Sequence, residues 1–464
     1  MSENKQVRVA LREIPSVDEI LDYHKSLISD APYLLYTQVI RRTLNEIRQE
    51  IRSGVLTKHI KEDTFKRVES SISQLSSPNL NSVINGTGII LHTGLGRAPI
   101  SKTLYDKALN QIYPYSNLEQ NIETGKRGER TFHVDKLINA LTGSEASIVV
   151  NNNAAAVLLM LNAMSENKEV IISRGEQIEI GGSFRIPDVI SKSGCKMVEV
   201  GTTNKTHLKD YDNAINKNTG AILVAHTSNY KVIGFTKSVE LIDLSILGKK
   251  KRIPVLLDLG SGAIADFSKL DLPNEPIVKK YIKSGVDVIS FSGDKLIGGP
   301  QCGIICGKKK FIKKIHKNPL YRALRCDKLT YAILENTLKS YNTPTDINNN
   351  NLTISLFLRN QTKLENFAKN IMKLIPQKII TNFSIQIKKT KVAAGSGSLP
   401  LKSFPSIALT FNGIMKATEL AKMFRNVSPP IIGYISNNIF HIDLKAIPMD
   451  QKQSLVESIV KALK

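Results

Sequence analysis

Between residues 83 and 340, short apolar runs alternate with longer segments whose apolar positions recur every three or four residues. The runs are Ser147–Val150, Glu169–Ser173, Ala221–Ala225, Pro254–Asp258 and Val286–Ser290. A strand buried on both faces is written as such a run, whereas an amphipathic helix follows a period near 3.6. Their alternation predicts an α/β domain, a mostly parallel sheet wrapped by helices. Ligands in that architecture gather beyond the carboxyl ends of the strands, so the residues at which the runs stop carry the first functional expectation.

The pattern changes on either side of this region. In residues 1–75, Ile40, Leu44, Ile47 and Ile51 share one helical face and Arg41, Arg48 and Arg52 another, which predicts a small helical N-terminal unit. Glu46 and Glu50 nearly balance those arginines, so the basic face suits either RNA phosphates or plain solvation. Gln74–Ser82 is rich in turn formers and predicts a linker. After a polar break at Tyr341–Asn350, residues 350–464 predict a smaller α+β domain, with strands near Ile385–Lys388, Ser406–Phe411 and Ile439–Leu444.

A chain of 464 residues exceeds one ordinary core, in keeping with several domains. No stretch approaches the roughly 20 apolar residues of a membrane span, and Met1–Lys5 opens no signal peptide, so the expectation is a cytoplasmic protein. Cys195, Cys302, Cys306 and Cys326 fit neither a disulfide framework nor common zinc spacing; incidental thiols and no metal are expected. The net charge of +23 is unevenly spread: residues 1–250 carry 31 basic against 27 acidic side chains, residues 251–464 carry 33 against 14. Such an excess suits a polyanionic partner, and it equally suits a general drift of composition toward lysine.

Candidate chemistry lies at the ends of the runs. Lys295 follows a strand-like stretch that ends at Ser292 and opens a glycine-rich turn, Gly293–Gly303. A lysine delivered by a strand among small residues is placed for a Schiff base with a flat cofactor. Asp258, ending its own run before Leu259–Gly262, can pair with a pyridinium nitrogen or simply cap a helix. Asn151–Asn153 joins a strand to the helical run from Ala154, so Asn152, Asn153 and Ala154 can present helix donors to a phosphate, with Ser292 adding a hydroxyl. Ordinary asparagine capping is the alternative. His226 can stack on a cofactor ring or serve structure alone. Arg97, Arg322 and Arg325 offer forks for a tetrahedral oxyanion, and the spacing of the last two puts them on one face of any helix they share.

Collectively these segments resemble the bacterial selenocysteine synthases, the L-seryl-tRNA(Sec) selenium transferases of pyridoxal phosphate fold type I. The matching runs are Ile84–Gly88 through Arg97, Tyr115–Glu119, Glu123–Gly128, Val150–Ala156, Ser173–Glu176, Glu179–Asp188, Val200–Asn204, His226–Tyr230, Asp258–Gly262, Ser292–Leu296, Gly397–Pro400 and Pro429–Gly433. The resemblance implies an aspartate aminotransferase-like large domain at 83–340, a small α+β domain at 350–464 and a tRNA-binding helical domain at 1–75. It implies pyridoxal 5'-phosphate on Lys295, with Asp258, Asn152, Asn153, Ala154, His226 and Ser292 around it. Asp294 is implied as a further catalytic residue, and Arg97, Arg322 and Arg325 as the pocket for selenophosphate. The implied reaction removes water from seryl-tRNA(Sec) to give aminoacrylyl-tRNA and then adds selenium, in a homodecamer built as a pentamer of dimers. Gly94, Val224 and Lys445 depart from residues common in that family. A pyridoxal phosphate lyase for a small amino acid or sugar-acid phosphate is the nearest alternative, and a non-catalytic tRNA-binding scaffold a more distant one.

Overall fold

The computed structural model describes residues 3–25, 33–76, 78–181, 184–227, 230, 232–266, 275, 277–413 and 415–464. Ser77 of the linker, and Gly182, Ser183, Ser228 and Asn229 of two matching runs, lie outside the described residues. The chain forms two compact units, Met1–Ser82 and Val83–Lys464.

The first unit is helical, with α1 (Glu3–Arg12), α2 (Val17–Tyr23), α3 (Tyr33–Arg52) and α4 (Ile60–Ser76). The expected apolar stripe of α3 is its core: Ile40 and Leu44 pack with Ile20 of α2 and with Val68 and Ile72 of α4, while Ile47 and Ile51 pack with Ile60. The expected charge balance on α3 is different. Glu46 pairs with Arg42 at 3.7 Å and Glu50 with Arg67 of α4 at 2.8 Å, so neither acid offsets the exposed Arg41, Arg48 and Arg52.

The second unit contains a seven-stranded sheet: β1 (Ala146–Val150), β2 (Glu169–Ser173), β3 (Lys196–Val200), β4 (Thr219–Ala225), β5 (Val255–Gly260), β6 (Val288–Ser292) and β7 (Gly303–Gly307). Their order is β1-β7-β6-β5-β4-β2-β3, with only β7 antiparallel to its neighbours. Five of these strands coincide with the apolar runs. The exceptions have physical reasons: β3 is an edge strand carrying Lys196 and Glu199, and β7 is bounded by two glycines that merge with the preceding turn. Helices cover both sheet faces. Asn153–Ser165 (α5) and Lys309–His316 (α8) pack with Ile148, Val170 and Leu223 on one face. Leu241–Lys251 (α6) and Val278–Lys283 (α7) pack with Val149, Ile222 and Leu257 on the other.

A second sheet near the C-terminus joins β8 (Gln386–Gly395), β9 (Ser398–Phe411), β10 (Tyr434–Ser436) and β11 (Ile439–Asp443) in the antiparallel order β8-β9-β11-β10. Its core face carries Leu409, Phe411, Phe440 and Ile442. Behind it, Lys445 is buried and donates to the carbonyls of Phe357 and Arg359 at 3.1 and 2.6 Å. Among the described residues no helix is long and apolar enough to cross a membrane.

Candidate active site

Three adjacent parallel strands deliver the central residues. Asp258 near the end of β5 lies opposite Ala225 of β4 and Ser290 of β6, and the His226 N–H, one step past β4, donates to the Asp258 carbonyl at 2.9 Å. Asn153, the first residue of α5, donates from Nδ2 to Asp258 Oδ1 at 2.8 Å. The start of α5 is thereby tied to the acid at the end of β5.

The turn after β6 is fixed from every side. Gly293 N–H donates to the Cys302 carbonyl and Gly299 N–H to the Gly293 carbonyl, both at 2.9 Å. Tyr341 and Asn351 each donate to the Ile297 carbonyl at 2.8 Å. A methyl group on Gly293 would stand 2.5 Å from Cys302 Sγ, so only glycine admits this closeness. These contacts hold Lys295 and Asp294 in the interior, 6 and 5 % exposed.

Burial is the first cause of every charge shift here. It lowers the pKa of Lys295, against the attraction of Asp258 and Asp294, and Arg97 pushes in the same direction. It raises Asp258, against the Asn153 hydrogen bond and Lys295. It raises Asp294, against the Arg97 guanidinium. That guanidinium reaches Asp294 Oδ2 from Nη1 at 3.1 Å, and Ala98 N–H donates to the Asp294 carbonyl at 3.2 Å, so the 92–98 loop closes over the lysine turn. Arg97 holds a left-handed φ of 64° to do so.

The residues expected to present donors to a phosphate stand at the start of α5. Asn152 caps the helix, its Oδ1 accepting from Ala155 N–H at 2.8 Å, and Ala154 is exposed in the first turn. Gly303 pairs with Val150 on one side and Ser292 on the other, which sets the Ser292 hydroxyl strand beside the cap. Among the described residues, Asn153 Oδ1 and His226 Nδ1 are buried at this end without a hydrogen-bond partner. Burial also lowers the His226 pKa, keeping its ring neutral. A buried amine, a buried acid, unsatisfied polar atoms and free helix donors together fit a flat, phosphorylated heterocycle such as pyridoxal phosphate.

The arginines are arranged otherwise than their spacing suggests. Arg322 is exposed on the short helix Pro319–Ala323, which ends before Arg325, so the two do not share a helix face. Leu324 caps that helix, and its carbonyl accepts from Asn151 N–H at 3.0 Å, which brings the segment against the start of α5. Arg325 donates to Glu119 Oε1 at 3.2 Å. Glu119 also receives Arg127 at 2.6 Å and Arg130 at 2.7 Å, so one carboxylate gathers three guanidinium groups. Arg130 in turn donates to the Cys326 carbonyl at 2.5 Å. No local spacing points to this role of Glu119, because its partners lie 8, 11 and 206 positions away. Nor does any motif give a role to Glu176; burial raises its pKa to about 8, and it accepts from Ala225 N–H at 3.3 Å beside His226. All four cysteines are buried and free. A separate cavity of about 410 Å³ lies among Leu118, Ile122, Phe132 and their neighbours, and none of the central residues lines it.

Sheet order, the lysine past β6 and the acid of β5 define the aspartate aminotransferase-like architecture, fold type I. The family model for L-seryl-tRNA selenium transferase matches residues 83–448, and the chain belongs to that family. The L-seryl-tRNA(Sec) selenium transferase of Haemophilus influenzae is 42% identical over 443 residues, covering 94% of this chain and 96% of the relative. That of Alkaliphilus oremlandii is 41% identical, covering 96% and 97%. Among solved structures, D-glucosaminate-6-phosphate ammonia-lyase superposes with a TM-score of 0.56 at 18% identity, over 84% of this chain and 97% of its own, a likeness of fold.

Proposed function

We propose that this protein converts L-seryl-tRNA(Sec) to L-selenocysteinyl-tRNA(Sec) with selenophosphate as donor and pyridoxal 5'-phosphate as cofactor. The observation that carries the proposal is the buried Lys295 amine between the acids Asp258 and Asp294, at the strand ends beside a capped helix N-terminus. When bound, pyridoxal phosphate supplies a carbonyl that captures the seryl amine and a ring that accepts electrons. Asn152, Asn153, Ala154 and Ser292 would hold its phosphate, His226 its ring face and Asp258 its ring nitrogen.

The remaining work falls to side chains. Lys295, its pKa lowered by burial, is a base for the seryl α-proton once its nitrogen is free. Asp294, its pKa raised by burial, can carry a proton to the departing seryl hydroxyl. The Arg97 fork holds Asp294 at the turn. Arg97, Arg322 and Arg325 recruit the tetrahedral donor, since planar forks match its oxygens bidentately. The exposed Arg41, Arg48 and Arg52 of α3 suit tRNA phosphates. A cytoplasmic homodecamer, a pentamer of dimers, completes the proposal.

Purified protein supplied with pyridoxal phosphate, seryl-tRNA(Sec) and selenophosphate is expected to yield selenocysteinyl-tRNA, and borohydride reduction followed by peptide mapping to mark Lys295. A folded, cofactor-loaded protein that forms no such product refutes the assignment. Ammonia release from a small amino acid without tRNA selects the lyase alternative.

A further inference from the structure

Site residues occupy the carboxyl ends of the strands; the opposite edge of the sheet has a different character. Backbone hydrogen bonds join the strand-entry segments there side by side: Lys196 to Lys168 at 2.8 Å, Glu169 to Asn218 at 2.9 Å, Asp287 to Val255 at 3.0 Å, Lys308 to Asp287 at 2.9 Å and Glu145 to Gly307 at 3.1 Å. Nearly every segment carries exposed lysine. Lys168 precedes β2, Lys217 precedes β4, Lys250 precedes β5, Lys283 precedes β6, and Lys309 and Lys310 follow β7.

Most acids on this edge are already engaged. Asp287 pairs with Lys308, Glu169 with Lys196 and Asp212 with Lys251, while Glu145 caps the Lys309 N–H. The side chains of the six lysines named above form no ion pair with these acids. At about 4.8 Å between neighbouring strands, the five adjacent strands β7, β6, β5, β4 and β2 spread the row over roughly 19 Å.

Helix stability explains only part of the pattern. Cations that end α6 and α7 suit the negative helix terminus, but Lys309 and Lys310 open α8, where the dipole repels them. Lys309 and Lys313, and Lys310 and Lys314, are further like-charged neighbours one turn apart, and α7 and α8 contain no acid at all. Lys168 and Lys217 belong to no helix. Lys309 and Lys310 are therefore placed against local helix stability.

The occupant follows from what the row offers. Apolar side chains along the row are few: exposed Ile246 lies one turn from Lys250, and the Phe311 ring lies under Lys310 Nζ at 4.6 Å, a sparse set for lipid insertion. A row dominated by charge matches a phosphate backbone contacted irrespective of sequence. We infer that this edge is a second RNA-binding surface, which holds the body of the tRNA substrate by its phosphates at the end of the sheet remote from Lys295. The inference rests on the proposed function, which supplies RNA as the partner.

The full-length protein carrying Lys→Gln at 168, 217, 250, 283, 309 and 310 tests it, with the same six positions as Lys→Arg for control. Kd for seryl-tRNA(Sec) is measured from about 50 to 300 mM KCl. Each phosphate that the protein ceases to neutralise takes about 0.7 to 0.9 from the slope of log Kd against log salt, so the Gln variant is expected to lower it by about 4 to 5. Binding at the lowest salt should weaken at least tenfold, with kcat at saturating tRNA and the melting temperature close to wild type, and the Arg variant should bind normally. An unchanged slope and Kd overturn the inference. So does a Gln variant that loses affinity for phosphatidylglycerol vesicles, or changes its subunit mass, while RNA binding stays intact. If the wild-type protein itself fails to bind seryl-tRNA(Sec), the proposed function falls instead.

Discussion

Gly303→Ala is the smallest change that reaches the start of α5 without touching a proposed reactive group. A methyl group built on Gly303 would lie 2.2 Å from the Asn152 carbonyl oxygen, 2.6 Å from its carbonyl carbon and 3.0 Å from Ala156 Cβ. Normal contact is roughly 3.3 to 3.5 Å, so Asn152 must move by about 1 Å. The obstacle is backbone, and no rotamer change relieves it. Asn152 is also the cap of α5, so displacing it loosens the hydrogen bond from Ala155 N–H. Overpacking in a filled interior costs about 1 to 3 kcal/mol and a lost cap about 1 more. For a unit of this size the melting temperature should fall by roughly 2 to 5 °C. A phosphate held by the moved backbone loses a hydrogen bond to a charged group, about 1.5 to 3 kcal/mol, or roughly 10- to 100-fold in affinity. Scanning fluorimetry measures the first effect and equilibrium titration with pyridoxal phosphate the second. Unchanged stability would show that β7 and α5 can separate at no cost. A lower melting temperature with unchanged cofactor affinity would falsify the assignment of the phosphate to this helix end.

Other perturbations address separate parts of the site. Asp294→Asn should lower kcat by about 10² to 10⁴ while the protein still takes up cofactor, and activity within a few-fold of wild type refutes a proton role for Asp294. Glu119→Gln should free Arg325 and raise the KM for selenophosphate about tenfold with the KM for seryl-tRNA unchanged; equal shifts in both would mean a merely structural carboxylate. Glu176 has its pKa raised to about 8 from 4.5, so the folded state keeps a proton that the unfolded chain releases. Stability should decline as pH rises from about 4.5 toward 8, and Glu176→Gln should remove that decline when the two proteins are denatured side by side across the range. Lys445 behaves oppositely: burial lowers its pKa to about 8 from 10.5, so stability rises between about pH 8 and 10.5. Lys445→Met leaves the Phe357 and Arg359 carbonyls without their donor and should cost about 2 to 4 kcal/mol at pH 7, with a Tm equal to wild type as the contrary result.

What could be seen in the sequence divides by the range of the interaction. Doubly buried strands are local signals, and β1, β2, β4, β5 and β6 are legible because each is a short run of Val, Ile and Leu ended by a polar residue. The α3 stripe is legible for the same reason, since Ile40 through Ile51 repeat at helical spacing. Lys295, Asp258 and the asparagine cap are legible because strand ends in this architecture point to one place. The rest depends on partners far apart in the chain. Glu119 needs Arg325, Arg97 needs Asp294 197 positions on, and Asn351 supports Ile297 54 positions back. Arg322 and Arg325 mislead because spacing of three implies a shared face only if a helix spans both. Leu324 ends this one first.

These long-range pairs divide the charge between interior and rim. At the lysine turn, buried Lys295 and the partly exposed Arg97 stand against the buried acids Asp258 and Asp294. At the rim, Arg325 shares Glu119 with two other arginines, and Arg322 makes no ion pair among the described residues. An incoming oxyanion therefore meets cations whose balancing carboxylate is itself shared three ways and cannot satisfy all of them. The proposed function would set the attraction for a small anion at the rim and the proton transfers at the lysine turn. Under the proposed function, donor binding falls to Arg97, Arg322 and Arg325 with Glu119 as their shared partner, and bond breaking to Lys295 and Asp294. Substitutions in the first group should move KM and those in the second kcat, and a Glu119 variant that changed kcat alone would contradict that division.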